Sequence, residues 1–486
     1  SRYVRRCDRA GKSMPGVTWL ERILNTVADR GRELLGLRED AAQDSLTSLC
    51  LRLIAGRGEA SNIALAREIL QRFDLLDEAA KTAFFIALAD QFGPDPERIG
   101  AAVAAFRNDR PDTLVQLLDA VEPPRQELFR RLNMAPLGTA SLVGMRAQLI
   151  DRLPAQPLLN SVDADFRHLL ASWFNRGFLR LQRIDWHSPA VVLEKLMRYE
   201  SVHPIKDWDD LRRRLAADRR CYGFFHPALP DEPLIFVEVA LTRQIASEIA
   251  PLIDPQAPVG DPYAADTAMF YSINNALKGL RGISFGNFLL KQVLSELGDE
   301  LPQLKHFVTL SPVPRLAEGL QKLLAGGFGE WPVEALDQVL LEYQPKLLEL
   351  SARISPQTSP SPSPSSSPSA ALRELLAHPE TAREPALGAP LTRLALLYLA
   401  ELKQGTGQCF DPVAGFHLAN GAILERINAC ADCSQKGGSQ SHGVMVNYRY
   451  DPEQVVANHE AYVQAGRIVM SRTLQREHDK HIAGKR

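Results

Sequence analysis

Apolar side chains recur at helical spacing along residues 1–170. Leu20, Ile23, Leu24 and Val27 form one such set, Leu114, Leu117, Leu118 and Val121 another, and Leu128, Phe129 and Leu132 a third. An apolar stripe with a 3.6-residue period is what a helix needs to bury one face against a neighbour. Asp112, before Thr113, supplies an N-cap for the second set, and Pro123-Pro124 ends it, because proline has no amide proton and restricts the residue before it. Alternating strand patterns are missing from this stretch. It is predicted to be an all-α bundle whose leucines form the core, with packing and self-association as its expected roles.

The texture changes near Trp186. Pro233-Leu-Ile-Phe-Val-Glu-Val-Ala-Leu241 is β-branched and aromatic, Thr267-Ala-Met-Phe-Tyr-Ser-Ile273 has the density of a buried strand, and Phe307-Val-Thr-Leu310 is a third short apolar run. Between the last two lie a glycine-containing loop, Lys278 to Asn287, and a helical stripe of Leu289, Leu290, Val293, Leu294 and Leu297. Strand, loop, helix and strand in that order predict an α/β domain over residues 171–486. Within it, Ser355–Ser369 is a Ser/Pro tract with no apolar side chain to bury, expected to be a solvent-exposed loop without function. Leu391–Leu402 is apolar almost all round, which fits a buried helix too short to cross a bilayer.

Composition narrows the class. A chain of 486 residues is too long for one core, and 56 basic against 58 acidic side chains leave no electrostatic case for nucleic acid or an anionic membrane. Six cysteines in that length make no disulfide framework. Cys430 and Cys433 form a C-x-x-C pair near His442, but a structural zinc site needs a second pair, so reduced thiols and no metal are expected. The basic segment Ser1–Arg9 lacks an apolar core for a secretory signal, an Arg-rich transit peptide stays open although no long Ser-rich, acid-poor extension follows, and the final Gly484-Lys-Arg486 is not a peroxisomal address. The expected location is the cytoplasm.

The candidate chemistry begins at the loop. A strand feeding glycines at a helix N-terminus exposes backbone N–H groups beside the positive end of the dipole, an arrangement that suits a pyrophosphate. A Cβ there would hold the phosphate away. Glycines before a helix are also ordinary turn residues, and these match neither the P-loop nor the dinucleotide fingerprint. The stretch does resemble the acyl-CoA loop of the GNAT superfamily, Gln/Arg-x-x-Gly-x-Gly/Ala, as Arg281-Gly-Ile-Ser-Phe-Gly286, with Ser284 in place of the first glycine.

Further motifs follow one order: His203-Pro-Ile-Lys-Asp-Trp208, Arg219-Arg-Cys-Tyr222, Glu232-Pro-Leu234, Val239-Ala-Leu-Thr242, Leu310-Ser-Pro-Val-Pro314, Phe416-His-Leu-Ala-Asn-Gly-Ala422, Arg426-Ile-Asn428 and Asn447-Tyr-Arg-Tyr450. From about Phe166 to Tyr450, with a weaker helical likeness upstream, the chain resembles the malonyl-CoA decarboxylase family. The resemblance implies a helical bundle followed by a GNAT-like catalytic domain, and conversion of malonyl-CoA to acetyl-CoA and carbon dioxide in fatty-acid and malonate metabolism. It implies no cofactor, since CoA belongs to substrate and product; a homo-oligomer is expected from the apolar helical faces of the first domain. It assigns catalysis to Ser311 and His417, supported by Tyr450 and Ser272, and the CoA pyrophosphate to Arg281, Gly282, Ile283, Ser284, Phe285, Gly286 and Asn287.

Taken without the resemblance, a lone His in Gly415-Phe-His-Leu is more often a core histidine, and a Ser before Pro is usually a turn residue. Decarboxylating a malonyl thioester nevertheless asks for what these side chains offer. The carboxylate must be oriented, the enolate oxygen stabilised and C2 protonated, and histidine is the natural proton source near neutral pH. Two alternatives stay open: a GNAT-type acyltransferase acting on an amine, and a non-catalytic acyl-CoA-binding scaffold.

Overall fold

The helical stripes fold as helices. The computed structural model describes residues 23, 25–29, 44–283, 289–326, 332–354, 367–378, 381, 384–403 and 409–482. Two compact units emerge: Ser1–Arg180 with Phe225–Leu234 and Asn275–Phe285, and Leu181–Phe224 with Ile235–Asn274 and Gly286–Arg486. Most of the Ser/Pro tract, along with Leu20, Leu24, Ser284, Phe285, Gly286 and Asn287, lies outside the described residues.

In the first unit the helices Leu46–Ala55, Glu59–Leu75, Glu78–Asp90, Pro124–Leu132, Gly138–Arg152 and Asn160–Trp173 bury Leu49, Phe73, Phe85, Leu128, Phe129, Leu149 and Phe166. Phe129 stacks on Phe166 at 4.1 Å between centroids. The helix Pro111–Val121 departs from expectation. It starts two residues earlier, with Arg110 as its cap position, so Asp112 sits in its first turn. Its leucine stripe faces outward: Leu114, Leu118 and Val121 are exposed, while Thr113 and Ala120 are buried. Thr113 fixes that rotation. Its hydroxyl accepts from the Arg107 amide at 3.0 Å and reaches the carbonyls of Arg107 and Arg110, which turns the Thr113–Ala120 face inward.

The second unit is built on an eight-stranded mixed sheet. Its strands are β1 (Arg180–Ile184), β2 (Arg219–Phe225), β3 (Ile235–Thr242), β4 (Thr267–Asn275), β5 (His306–Thr309), β6 (Ser311–Pro312), β7 (Ile423–Asn428) and β8 (Met445–Tyr450), in the spatial order β1-β2-β3-β4-β5-β8-β6 with β7 also on β8. The three expected strands are β3, β4 and β5. β2 was hidden by charge: it is buried throughout yet opens on Arg219 and Arg220, and Arg220 is accommodated by a bond to Glu300 at 2.7 Å. β4 and β5 run parallel, Phe270 opposite Thr309, and the helix Leu289–Glu300 connects them with Leu289, Leu290, Val293, Leu294 and Leu297 buried. β8 runs antiparallel to β5, with Phe307 opposite Tyr450. The helix Gly388–Glu401 carries the expected all-round apolar segment and is buried along most of its length.

Side chains alternate between the faces of a sheet. Met269, Tyr271, Val308, Leu310 and Met445 share one face and pack with Ala240, Ile249 and Leu252. Phe270, Ser272, Thr309, Ser311, Tyr448 and Tyr450 therefore fall on the other.

Candidate active site

Parallel pairing between β4 and β5 stops at a bond from the Leu310 amide to the Phe270 carbonyl, 2.8 Å long. Beyond it β4 runs on to Asn275, whereas the neighbouring chain turns to β8, pairing Ser311 with Val446. The strands part there. Ser311 lies on one side of the parting and Ser272 on the other, each two residues past the last pair and on the same face.

A helix, Pro412–Ala419, brings His417 to that face. Its start was legible: Asp411 accepts from the Val413 amide at 2.9 Å and the Ala414 amide at 3.0 Å, with Pro412 in the first turn. Asp411 also accepts from the Arg315 amide at 3.3 Å, which ties this helix to the Pro312-Val-Pro314 exit of Ser311. Burial raises the Asp411 carboxyl against these amide donors.

Four side chains form one chain of hydrogen bonds. His417 Nε2 lies 2.9 Å from Ser311 Oγ, and His417 Nδ1 lies 2.8 Å from the Tyr450 hydroxyl. Ser311 Oγ in turn donates to Thr309 Oγ1 at 2.9 Å, and Thr309 Oγ1 also accepts from the Tyr448 amide at 3.2 Å. All of these side chains are buried. The ring of Tyr448 stacks on the imidazole, 4.5 Å between centroids and 21° from parallel. Enclosure without a neighbouring charge pushes the His417 pKa down to about 3. Burial likewise raises the Tyr450 phenol well above its ordinary value. At neutral pH the imidazole is uncharged and the phenol protonated. Of the apolar sequence neighbours expected to desolvate the ring, Phe416 packs edge-on against it at 5.2 Å between centroids although itself 45% exposed, and the tyrosines of β8 complete the enclosure.

Ser272 belongs to a separate cluster. Its hydroxyl donates to Glu200 Oε2 at 2.7 Å, and Asn274 Nδ2 reaches both Glu200 Oε2 at 2.8 Å and Ser272 Oγ at 2.6 Å. Glu200 Oε1 accepts from the amides of Val202 and His203, each at 2.8 Å. Of the loop residues, Arg281, Gly282 and Ile283 are described. Gly282 has φ +76°, a conformation that favours glycine. Arg146 donates to the carbonyls of Gly279 at 2.6 Å and Arg281 at 2.9 Å, clamping the loop within the first unit. Among the described residues, no group of three or more His, Cys, Asp and Glu is placed to hold a metal ion.

Thr309, Tyr448, Glu200, Asn274 and Asp411 were not singled out from sequence. Three carried a signal: Asp411 stands before Pro412 as an N-cap, and Thr309 and Tyr448 stand two residues from Ser311 and Tyr450 along strands, hence on their face.

A family model for the malonyl-CoA decarboxylase C-terminal domain matches residues 177–485, and one for the N-terminal domain of the same family matches residues 92–174. The chain belongs to the malonyl-CoA decarboxylase family. A mitochondrial malonyl-CoA decarboxylase of Anser anser anser is 37% identical over 406 residues, 79% of this chain and 77% of the relative. That of Rattus norvegicus, also mitochondrial, is 34% identical over 416 residues, 82% and 81% of the two chains. Crystal structures of malonyl-CoA decarboxylases are similar as well. That from Rhodopseudomonas palustris is 46% identical with a TM-score of 0.76, covering 89% of this chain and 98% of its own. That from Agrobacterium vitis is 43% identical with a TM-score of 0.75, covering 89% and 99%. The family likeness thus extends upstream of Phe166 into the helical unit.

Proposed function

We propose that this protein decarboxylates malonyl-CoA to acetyl-CoA and carbon dioxide, with Ser311 and His417 as the catalytic pair. The observation that carries the proposal is the buried 2.9 Å contact between His417 Nε2 and Ser311 Oγ where β4 and β5 part. Cleaving the C2–carboxylate bond releases carbon dioxide and leaves the electron pair on C2 and the thioester oxygen. The thioester is the electron sink, so the step asks for no cofactor. C2 then takes one proton, which solvent replaces once per turnover. His417 is the source. Ser311, bonded to Nε2, orients the carboxylate or passes the proton on. As Nε2 gives up its proton, the Tyr450 hydroxyl on Nδ1 bonds more strongly to a ring gaining negative charge. Ser272, across the parting, contributes to holding the acyl group.

The backbone of Arg281–Asn287 takes the CoA pyrophosphate; the positive φ of Gly282 and the clamp from Arg146 support a fixed loop. The helical unit carries self-association, supported by the exposed apolar face of Pro111–Val121. Cytoplasmic residence rests on the sequence alone, while the goose and rat relatives are named mitochondrial; among the described residues no helix is long and apolar enough to cross a membrane. Fractionation of the native host decides the location. For the activity, purified protein is incubated with malonyl-CoA, with and without an amine acceptor. Carbon dioxide and acetyl-CoA in equal amounts, independent of the amine, support the proposal. Acyl transfer to the amine, or binding without turnover, overturns it.

A further inference from the structure

We propose that Thr309 is a positioning residue that fixes the direction of the hydrogen-bond chain through Ser311 and thereby holds His417 with its proton on Nε2. The inference rests on the Ser311–His417 pair acting as proposed above. A neutral imidazole carries one proton on two nitrogens, and its partners decide which.

The two ends of the chain agree. At one end, the buried Tyr450 hydroxyl has His417 Nδ1, at 2.8 Å, as its hydrogen-bond partner among the described residues. With Nδ1 bare, the phenol donates to it and the ring proton lies on Nε2. At the other end, Ser311 Oγ donates to Thr309 Oγ1 at 2.9 Å, leaving an oxygen lone pair to accept from Nε2–H at 2.9 Å. Thr309 is itself held by the Tyr448 amide at 3.2 Å, a backbone donor that cannot reverse. The order is Tyr450 O–H to Nδ1, Nε2–H to Ser311, and Ser311 O–H to Thr309. Without an acceptor at residue 309, the Ser311 proton turns to Nε2 and drives the ring proton to Nδ1, away from the reacting carbon.

Side-chain 15N NMR on histidine-labelled protein reads the tautomer, with His417→Gln assigning the signal among 11 histidines. Wild-type protein is expected to show a protonated Nε2 and a bare Nδ1. Thr309→Val, which keeps the branched shape and removes the acceptor, should move His417 toward the Nδ1–H form. Its kcat on malonyl-CoA should fall about 10- to 100-fold, short of the roughly 10⁴-fold cost of a fully wrong tautomer in a catalytic triad. Thr309→Ser should restore both. Nδ1–H in the wild type, or an unmoved tautomer in Thr309→Val whatever its rate, overturns the inference. If Thr309→Val does not fold, Thr309→Cys, a weaker acceptor, takes its place with the same outcomes. Full turnover by folded His417→Gln would defeat the catalytic pair while leaving the tautomer result standing, so the two failures are distinct.

Discussion

Replacing Tyr450 with phenylalanine removes one oxygen from the catalytic face and little else. The ring stays against the imidazole, 6.1 Å between centroids and 65° from parallel, while the 2.8 Å donor to Nδ1 is lost. A buried Nδ1 left unpaired costs the fold about 1–3 kcal/mol, so the melting temperature should drop. The rate effect is smaller, because only the difference between resting and transition states counts. A neutral hydrogen bond contributes about 0.5–1.5 kcal/mol and a charged one about 1.5–3, so the bond gains roughly 1–1.5 kcal/mol as the ring gives up its proton. That corresponds to a kcat loss of about 5- to 13-fold. KM for malonyl-CoA should barely change, since the hydroxyl contacts His417 rather than substrate. Steady-state kinetics well below the melting temperature, paired with a thermal melt, provide the test. A lower melting temperature with kcat unchanged would make Tyr450 a packing residue. A loss beyond about 10³-fold would make the phenol itself the proton donor.

Other sites give independent tests. Arg146→Lys keeps a charge for Asp163 but cannot bridge the carbonyls of Gly279 and Arg281, so KM for malonyl-CoA should rise by about 10-fold with kcat nearly kept; an unchanged KM argues against CoA binding at the loop. The pKa of His417 is depressed from 6.5 to about 3, so the folded ring stays neutral while the unfolded one protonates. Its contribution to stability is whole above pH 6.5 and erodes as pH falls toward about 3, so urea unfolding of His417→Gln should lose stability less steeply than wild type in that window, and parallel curves would contradict the assignment. Leu118→Glu, on the exposed face of Pro111–Val121, should lower the mass seen in sedimentation without lowering the melting temperature; an unchanged mass means that face is not the contact.

What could be read from the chain followed the strength of local patterns. The strand–loop–helix–strand order around β4 and β5 was visible because those strands are apolar and the helix between them has an unbroken stripe. β2 was not, because buried ion pairs let Arg219 and Arg220 occupy a strand with no alternation to read. Pro111–Val121 was read with its core face reversed, since periodicity locates a stripe but says nothing of a threonine hydroxyl tied to the preceding turn. Ser311, His417 and Tyr450 were chosen through the family resemblance, and the folded chain joins them by hydrogen bonds. Thr309 and Tyr448 escaped notice because a strand's period shows that they share a face, whereas their roles depend on pairing across β5 and β8.

Turnover of malonyl-CoA by wild-type protein and His417→Ala, with folding checked by melting, tests the central claim most directly. On the proposal that His417 supplies the proton, its removal should lower kcat by roughly 10²–10⁴ with a smaller effect on KM. Ser311→Ala should lose less, and the double variant should fall well short of the product of the two, as residues acting together do. Near-full turnover by a folded His417→Ala protein would contradict the account.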